Sequence, residues 1–473
     1  MQSLKLRIAG GLLFWAIVMR VAGAVEIGPL AHEFRMTLEP GSELEVMGPL
    51  YGQKHSGSLR SFRISPFFSM ARDEELGWRE IDFLYPIFSH DRTGGEYRYQ
   101  MLLITAKGGD TQEGVPKRRF TIFPLFFQQR SPDPKFRYTA VGPFYGHLQN
   151  RFWRDEIHYV MFPLYSRTRK RGVTTWNYIY PFAHWRRGEN LRGWQFWPLL
   201  GYERKQSLAR TDRWGDLEVV PGHRKFFTFF PFVFFEETGI GTVDPNYKRA
   251  FVPFYSTERS PTRDSTFVLW PFFSYTDDRA RGYEEWGFPW PIATRARGPG
   301  KTSFRLWPFY GKTAKANIHT RSIMWPVYRY RKVTAPPLER SRMRLLFFVY
   351  SHVEERDTVR DLRRRRIEVW PFFTWRDDAG MRRLQILALL EPFLSKNESI
   401  QRNYAPLWAL WRSERNTSAR LSSQSLLWNL YRRETRADSR KGSLLFGLFR
   451  YESTPDYRRW RIFGIPTERS ARR

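Results

Sequence analysis

Three kinds of residue in this sequence could do chemistry: histidines, paired carboxylates and clustered arginines. The nine histidines are His32, His55, His90, His147, His158, His184, His223, His319 and His352. They are scattered, with no HExxH pair and no close ligand spacing, so no zinc-type centre is expected. Asp277-Asp278 and Asp377-Asp378 could serve acid–base work or hold a cation. Both pairs stand directly after an apolar run, where aspartate starts turns, and turn formation is the expected role. The sequence has no G-x-S-x-G elbow and no P-loop, and Gly239-Ile240-Gly241 and Gly298-Pro299-Gly300 read as loops. The expectation is a protein that is not an enzyme, with no catalytic residue, no cofactor and no metal.

The arginines carry the one functional signal. Lysine and arginine number 78 against 47 acidic residues, for a formal charge of +31. Arg186 and Arg187, the run Arg363, Arg364, Arg365 and Arg366, and the pair Arg432 and Arg433 stand out. Such clusters either keep an aromatic-rich surface solvated and block edge pairing or contact a polyanion. For an exported chain the candidates are lipopolysaccharide, an acidic glycan or anionic lipid. No nucleic-acid-binding module is visible, and an exported chain meets little nucleic acid.

Export is read from residues 1–24. Lys5 and Arg7 precede an apolar run from Ile8 to Met19, and Ala22-Gly23-Ala24 offers a small-x-small cleavage site. The mature chain is expected to begin at Val25. The run falls short of the roughly 20 residues a membrane helix needs. There is no cysteine, hence no disulfide and no lipid-attachment cysteine. Any membrane crossing further on would have to use strands. The expected location is the outer membrane or periplasm of a Gram-negative-type bacterium.

The elements that position these residues come from a repeat. Trp270-Pro271 lies in FVLWPFFSYTDD and Trp370-Pro371 in IEVWPFFTWRDD; Trp197-Pro198, Trp290-Pro291, Trp307-Pro308 and Trp325-Pro326 repeat the dipeptide. The unit recurs with other residues before Pro49, Pro66, Pro86, Pro124, Pro143, Pro163, Pro181, Pro231 and Pro253. Near the C-terminus Ala409, Asn429, Gly447 and Gly464 stand in the proline's place. About 23 units of roughly 19 residues fill one domain, residues 25–473.

Short runs rich in Trp, Phe, Tyr, Val and Ile, fenced by Asp/Gly clusters, read as strands. Each unit is expected to be one long strand, bent at the proline, because proline cannot donate to a ladder. A Ser, Gly or Thr three residues later (Ser69, Gly146, Ser166, Gly201, Ser274 and Thr374 among them) suggests a crowded position. The predicted fold is all-β, an antiparallel meander of about 20 or more strands, curled or closed into a large barrel-like sheet. A β-solenoid is the alternative.

At the level of class this resembles the bacterial outer-membrane barrels. It departs from them in three ways: strand centres read as apolar on both faces, proline recurs in nearly every unit, and the chain ends in Arg-rich residues 469–473. The leading functional expectation is a non-catalytic envelope protein, a structural or polyanion-binding β assembly associated with the outer membrane. The alternative is a β-barrel pore with a basic, anion-favouring interior. Oligomeric state is left open.

Overall fold

The structure is a computed structural model and describes residues 31–109, 116–211, 217–394, 397–463, 465–466 and 470–471. The export segment and Arg469, Arg472 and Arg473 lie outside these residues. The repeat runs through two compact units. One comprises the residues up to 94 together with 348–356 and 360 onward, the other 95–347 with 357–359.

Within each unit the architecture is an antiparallel β meander. Strands are short, most of five or six residues, and pair in antiparallel register with their neighbours in sequence, as Arg263–Val268 does with Phe273–Asp278. The predicted fold class is therefore observed, but the repeat unit is not one bent strand. It is two strands joined by a tight turn, and the turn is the aromatic-proline motif itself. Val268 pairs with Phe273 and Phe267 with Ser274, across Leu269-Trp270-Pro271-Phe272. Phe267 and Phe273, which an extended strand would place together, thus lie on opposite faces of the sheet.

The turn is built the same way in most copies. Leu269 O accepts from Phe272 N at 2.7 Å, closing four residues around a cis proline at the third position, which is the type VI turn. Equivalent bonds close Ile64–Phe67, Leu84–Ile87, Met161–Leu164, Ile179–Phe182, Phe229–Phe232 and Met324–Val327. Successive turns also bond to one another: Trp270 N donates to Pro253 O and Trp290 N to Pro271 O, at 2.6 and 2.7 Å. The sheet ladder thereby continues through its own edge, and proline suits the turn because it has no N–H to satisfy. Where proline is lost, Trp428-Asn429 and Phe446-Gly447 take positive φ at both positions. That is the type I′ solution, which favours Asn and Gly.

The Asp/Gly clusters make the other turns, as expected. Asp278 accepts from Arg281 N at 2.9 Å and Asp377 from Gly380 N at 3.0 Å. Because the two turn types alternate strictly along the meander, all aromatic-proline turns of a unit fall on one edge of its sheet. The polar turns fall on the other.

One segment of the first unit departs from the pattern. Where an all-β repeat was expected, α1 (Glu398–Asn403) and α2 (Ala405–Trp408) interrupt it. Asn397 caps α1 by accepting from Ile400 N at 2.9 Å, and Pro406 sits in the first turn of α2.

Candidate functional site

Residues two apart on a strand share a face and strand neighbours align in register, so each face is ruled into rows parallel to the edge. In the second unit the row next to the aromatic turns runs through Tyr145, Val160, Tyr165, Tyr178, Ala183, Phe196, Leu200, Thr228, Val233, Phe251, Tyr255, Val268 and Phe273. It resumes as Ala293, Leu306, Tyr310, Ile323, Tyr328 and Leu345. No member is charged. The first unit repeats this with Val46, Tyr51, Ile64, Phe68, Phe83 and Phe88, and with Val369, Phe373, Ile386, Trp411, Leu426 and Tyr431.

The next row on this face mixes aromatic and basic groups. It runs His147, His158, Arg167, Trp176, Trp185, Trp194, Tyr202, Phe226, Phe235 and Arg249. Further along it holds Tyr275, Trp286, Arg295, Phe304, Lys312 and Arg321. The Tyr275 and Trp286 rings lie 4.3 Å apart. A third row is charged and of mixed sign: Arg169, Arg187, Arg192, Arg204, Arg224, Arg259 and Arg297 stand among Glu156, Glu237, Asp264, Asp277 and Glu284 in the second unit, and Arg60, Arg72, Arg79 and Arg92 hold it in the first. From the turns inward this face grades from apolar, through aromatic-basic, to charged.

The turns complete the apolar end. The residue after the motif proline is large and apolar in nearly every copy (Phe67, Leu125, Phe144, Leu164, Phe254, Phe272 and Phe309, for example), and these seven are 52–60% exposed. Phe372 reaches 65%. The opposite edge carries Arg-Gly, Gly-Glu-Asn, Ser-Pro-Thr and Gly-Pro-Gly turns, with Leu76, Trp153, Val243 and Val359 as exposed exceptions.

The other face of the sheet alternates small or polar residues with large rings such as Tyr159, Phe227 and Phe267. The Ser, Gly or Thr three residues after the proline lies here, and its crowding is real. Ser69 and Thr374 are buried, and a Cβ on Gly201 or Gly146 would sit 2.1 or 2.4 Å from the ring of Phe227 or Tyr159. In the first unit this face holds a charged interior. Arg63 meets Glu43 at 2.6 Å and Glu45 at 3.0 Å. Arg402 of α1 reaches Asp82 at 2.7 Å, Glu80 at 3.2 Å and Ser69 Oγ at 2.9 Å, while Ser399 donates to Glu80. Burial, reinforced by Glu43, pushes the Glu45 carboxyl up, and burial pushes Asp82 up against the pull of Arg402. A cavity of about 420 Å³ between these groups is also lined by Arg412, whose pKa burial lowers. The helical insert that supplies Arg402 was not foreseen; Asn397 ahead of Glu398 and Pro406 in the next turn were the available signals.

The motif prolines and tryptophans, from Pro49 to Pro371, all lie in the edge turns. The arginines singled out from sequence divide between the two faces. Arg187 and Arg433 are exposed on the aromatic face, whereas Arg186 lies on the polar face against Glu203. Arg365 lies over Trp375 at 5.8 Å and donates to His352; Arg363 pairs with Glu354, Arg364 with Asp378 and Arg366 with Glu368. Arg432 is a correction. It is buried, 3.5 Å over the Phe34 ring and bonded to Glu434 at 2.8 Å, because strand alternation turns it inward while Arg433 faces out. Among the described residues no three His, Asp or Glu side chains gather as metal ligands would. No protein-family model matches the chain, and no curated protein matches it.

Proposed function

We propose that the protein is a non-catalytic component of the bacterial cell envelope, exported by its N-terminal segment and held as a β assembly on an anionic lipid surface. The observation that carries this is the graded face: an uncharged row at the aromatic edge, then tryptophan, tyrosine and arginine, then a charged row in which arginines stand among carboxylates. Trp and Tyr favour the level where hydrocarbon meets headgroups, and basic side chains at the surface attract anionic lipid. The buried charges of the first unit are paired at short range, Arg63 with Glu43 and Glu45 and Arg402 with Glu80 and Asp82, which supports a structural rather than catalytic part for them.

Flotation of the full-length protein with phosphatidylglycerol and phosphatidylcholine vesicles tests the reading. The expected outcome is binding to both, tighter to the anionic vesicles, with the difference shrinking as salt rises. Failure to float with either, together with recovery of the native protein in the soluble periplasm, would reject it.

A further inference from the structure

We infer that the aromatic-proline edge enters a single lipid leaflet and stops there, so that the protein sits in the membrane as a monotopic sheet rather than crossing it as a pore. This rests on the lipid-surface reading and adds the segment that inserts, the face that meets lipid and the depth.

Depth follows from the rows. A strand rises about 3.4 Å per residue, so rows two residues apart are separated by about 7 Å. Measured from the turn tips, the uncharged row lies within a few ångströms, the aromatic-basic row about 10 Å in, and the charged row about 17 Å in. Half of a hydrocarbon core is about 15 Å. Placing Trp286 and Arg295 at the headgroup boundary therefore sinks Phe272 and its counterparts roughly 10 Å, the depth at which interfacial elements rest. Spanning needs strands of about 9–11 residues, and the charged third row would then lie in hydrocarbon. Strands such as Arg263–Val268 and Phe273–Asp278 have six.

Lipid covers one face only. At the level of the uncharged row the opposite face carries the buried Ser274 and Thr294, rings such as Phe227 and Phe267, and the exposed Arg305 and Arg329, and the two arginines belong against water. The inserted surface is thus the row of tips with the aromatic face behind them.

The chain has no cysteine, so single cysteines can be introduced without background. Three exposed positions sample the three levels: Phe272→Cys at a tip, Trp286→Cys in the aromatic-basic row and Glu284→Cys in the charged row. Each full-length variant is labelled with an environment-sensitive dye and mixed with anionic vesicles that carry quenchers at set acyl depths and an entrapped dye. Expected are strong acyl quenching at 272, weak quenching at 286, none at 284, and no dye release. Release of the entrapped dye, or exposure of the 272 label to a quencher inside the vesicle, would overturn the one-leaflet depth. A water-exposed 272 label on vesicle-bound protein would overturn edge insertion while leaving lipid-surface binding intact. Protein that does not bind at all removes the underlying reading instead. Phe254→Asp, Phe272→Asp and Phe309→Asp combined serve as a second check. Each introduced charge should weaken salt-resistant vesicle binding roughly fivefold to tenfold, and unchanged binding would contradict the inference.

Discussion

The two faces of the sheet use the same residue types under opposite rules. On the polar face of the first unit, charges are withdrawn from water and matched at short range: Arg63 with Glu43 and Glu45, Arg402 with Glu80 and Asp82. Neighbouring positions shrink to Ser or Gly to make room. On the aromatic face the large rings are left outside and graded by distance from the edge. An aromatic side chain presents about 200 Å², so one that is half exposed has about 100 Å² left to cover, worth about 2.5 kcal/mol. Soluble monomers rarely leave a continuous apolar patch of that kind uncovered. The polar face is therefore where stability is set, and the aromatic face is where a surface is recognised.

Substitutions separate the two roles. Arg402→Met leaves Glu80 and Asp82 buried without their cation and should cost about 3–5 kcal/mol in urea unfolding. Folded Arg402→Met protein should still float with vesicles, and loss of flotation without loss of stability would invert the assignment. Gly201→Val drives a side chain into the Phe227 ring and should cost about 1–3 kcal/mol. Phe272→Ser at the aromatic edge should move stability by no more than about 0.5 kcal/mol. Combined with Phe254→Ser and Phe309→Ser, it should still remove most salt-resistant vesicle binding.

A separate effect is expected on acid stability. Burial, with Arg432 and Arg450 nearby, lowers the His32 pKa to about 3. As pH falls below about 6.5 the unfolded chain takes up this proton and the folded chain does not. The contribution is whole above that pH and is lost progressively towards pH 3. His32→Gln should flatten the acid limb by up to one proton in denaturation titrations, and an unchanged slope would mean that His32 is solvated.

The all-β class, the meander and the Asp-led turns were legible because composition and turn residues carry them locally. The aromatic-proline unit was misplaced because a short apolar run does not distinguish a bent strand from two strands and a tight turn. In FVLWPFFSYT the turn consumes four residues and breaks the period-2 count, so Phe267 and Phe273 exchange faces. The grading of the aromatic face was hidden for a further reason. Trp176, Trp185, Trp194 and Tyr202 are spread along the sequence and become one row only through strand register. The arginine pairs misled for the same reason, since adjacent residues on a strand point to opposite faces: Arg432 inward, Arg433 outward.

The central claim, that one edge of the sheet meets lipid and the other meets water, is tested most directly across a single strand. Phe272 precedes Phe273–Asp278 at the aromatic edge and Ala280 follows it at the polar edge. Single cysteines at 272 and 280, carrying the same dye on full-length protein bound to anionic vesicles, should give a blue-shifted, acyl-quenched signal at 272 and a water-like signal at 280. Equal signals at the two positions, or lipid contact at 280 alone, would contradict the account.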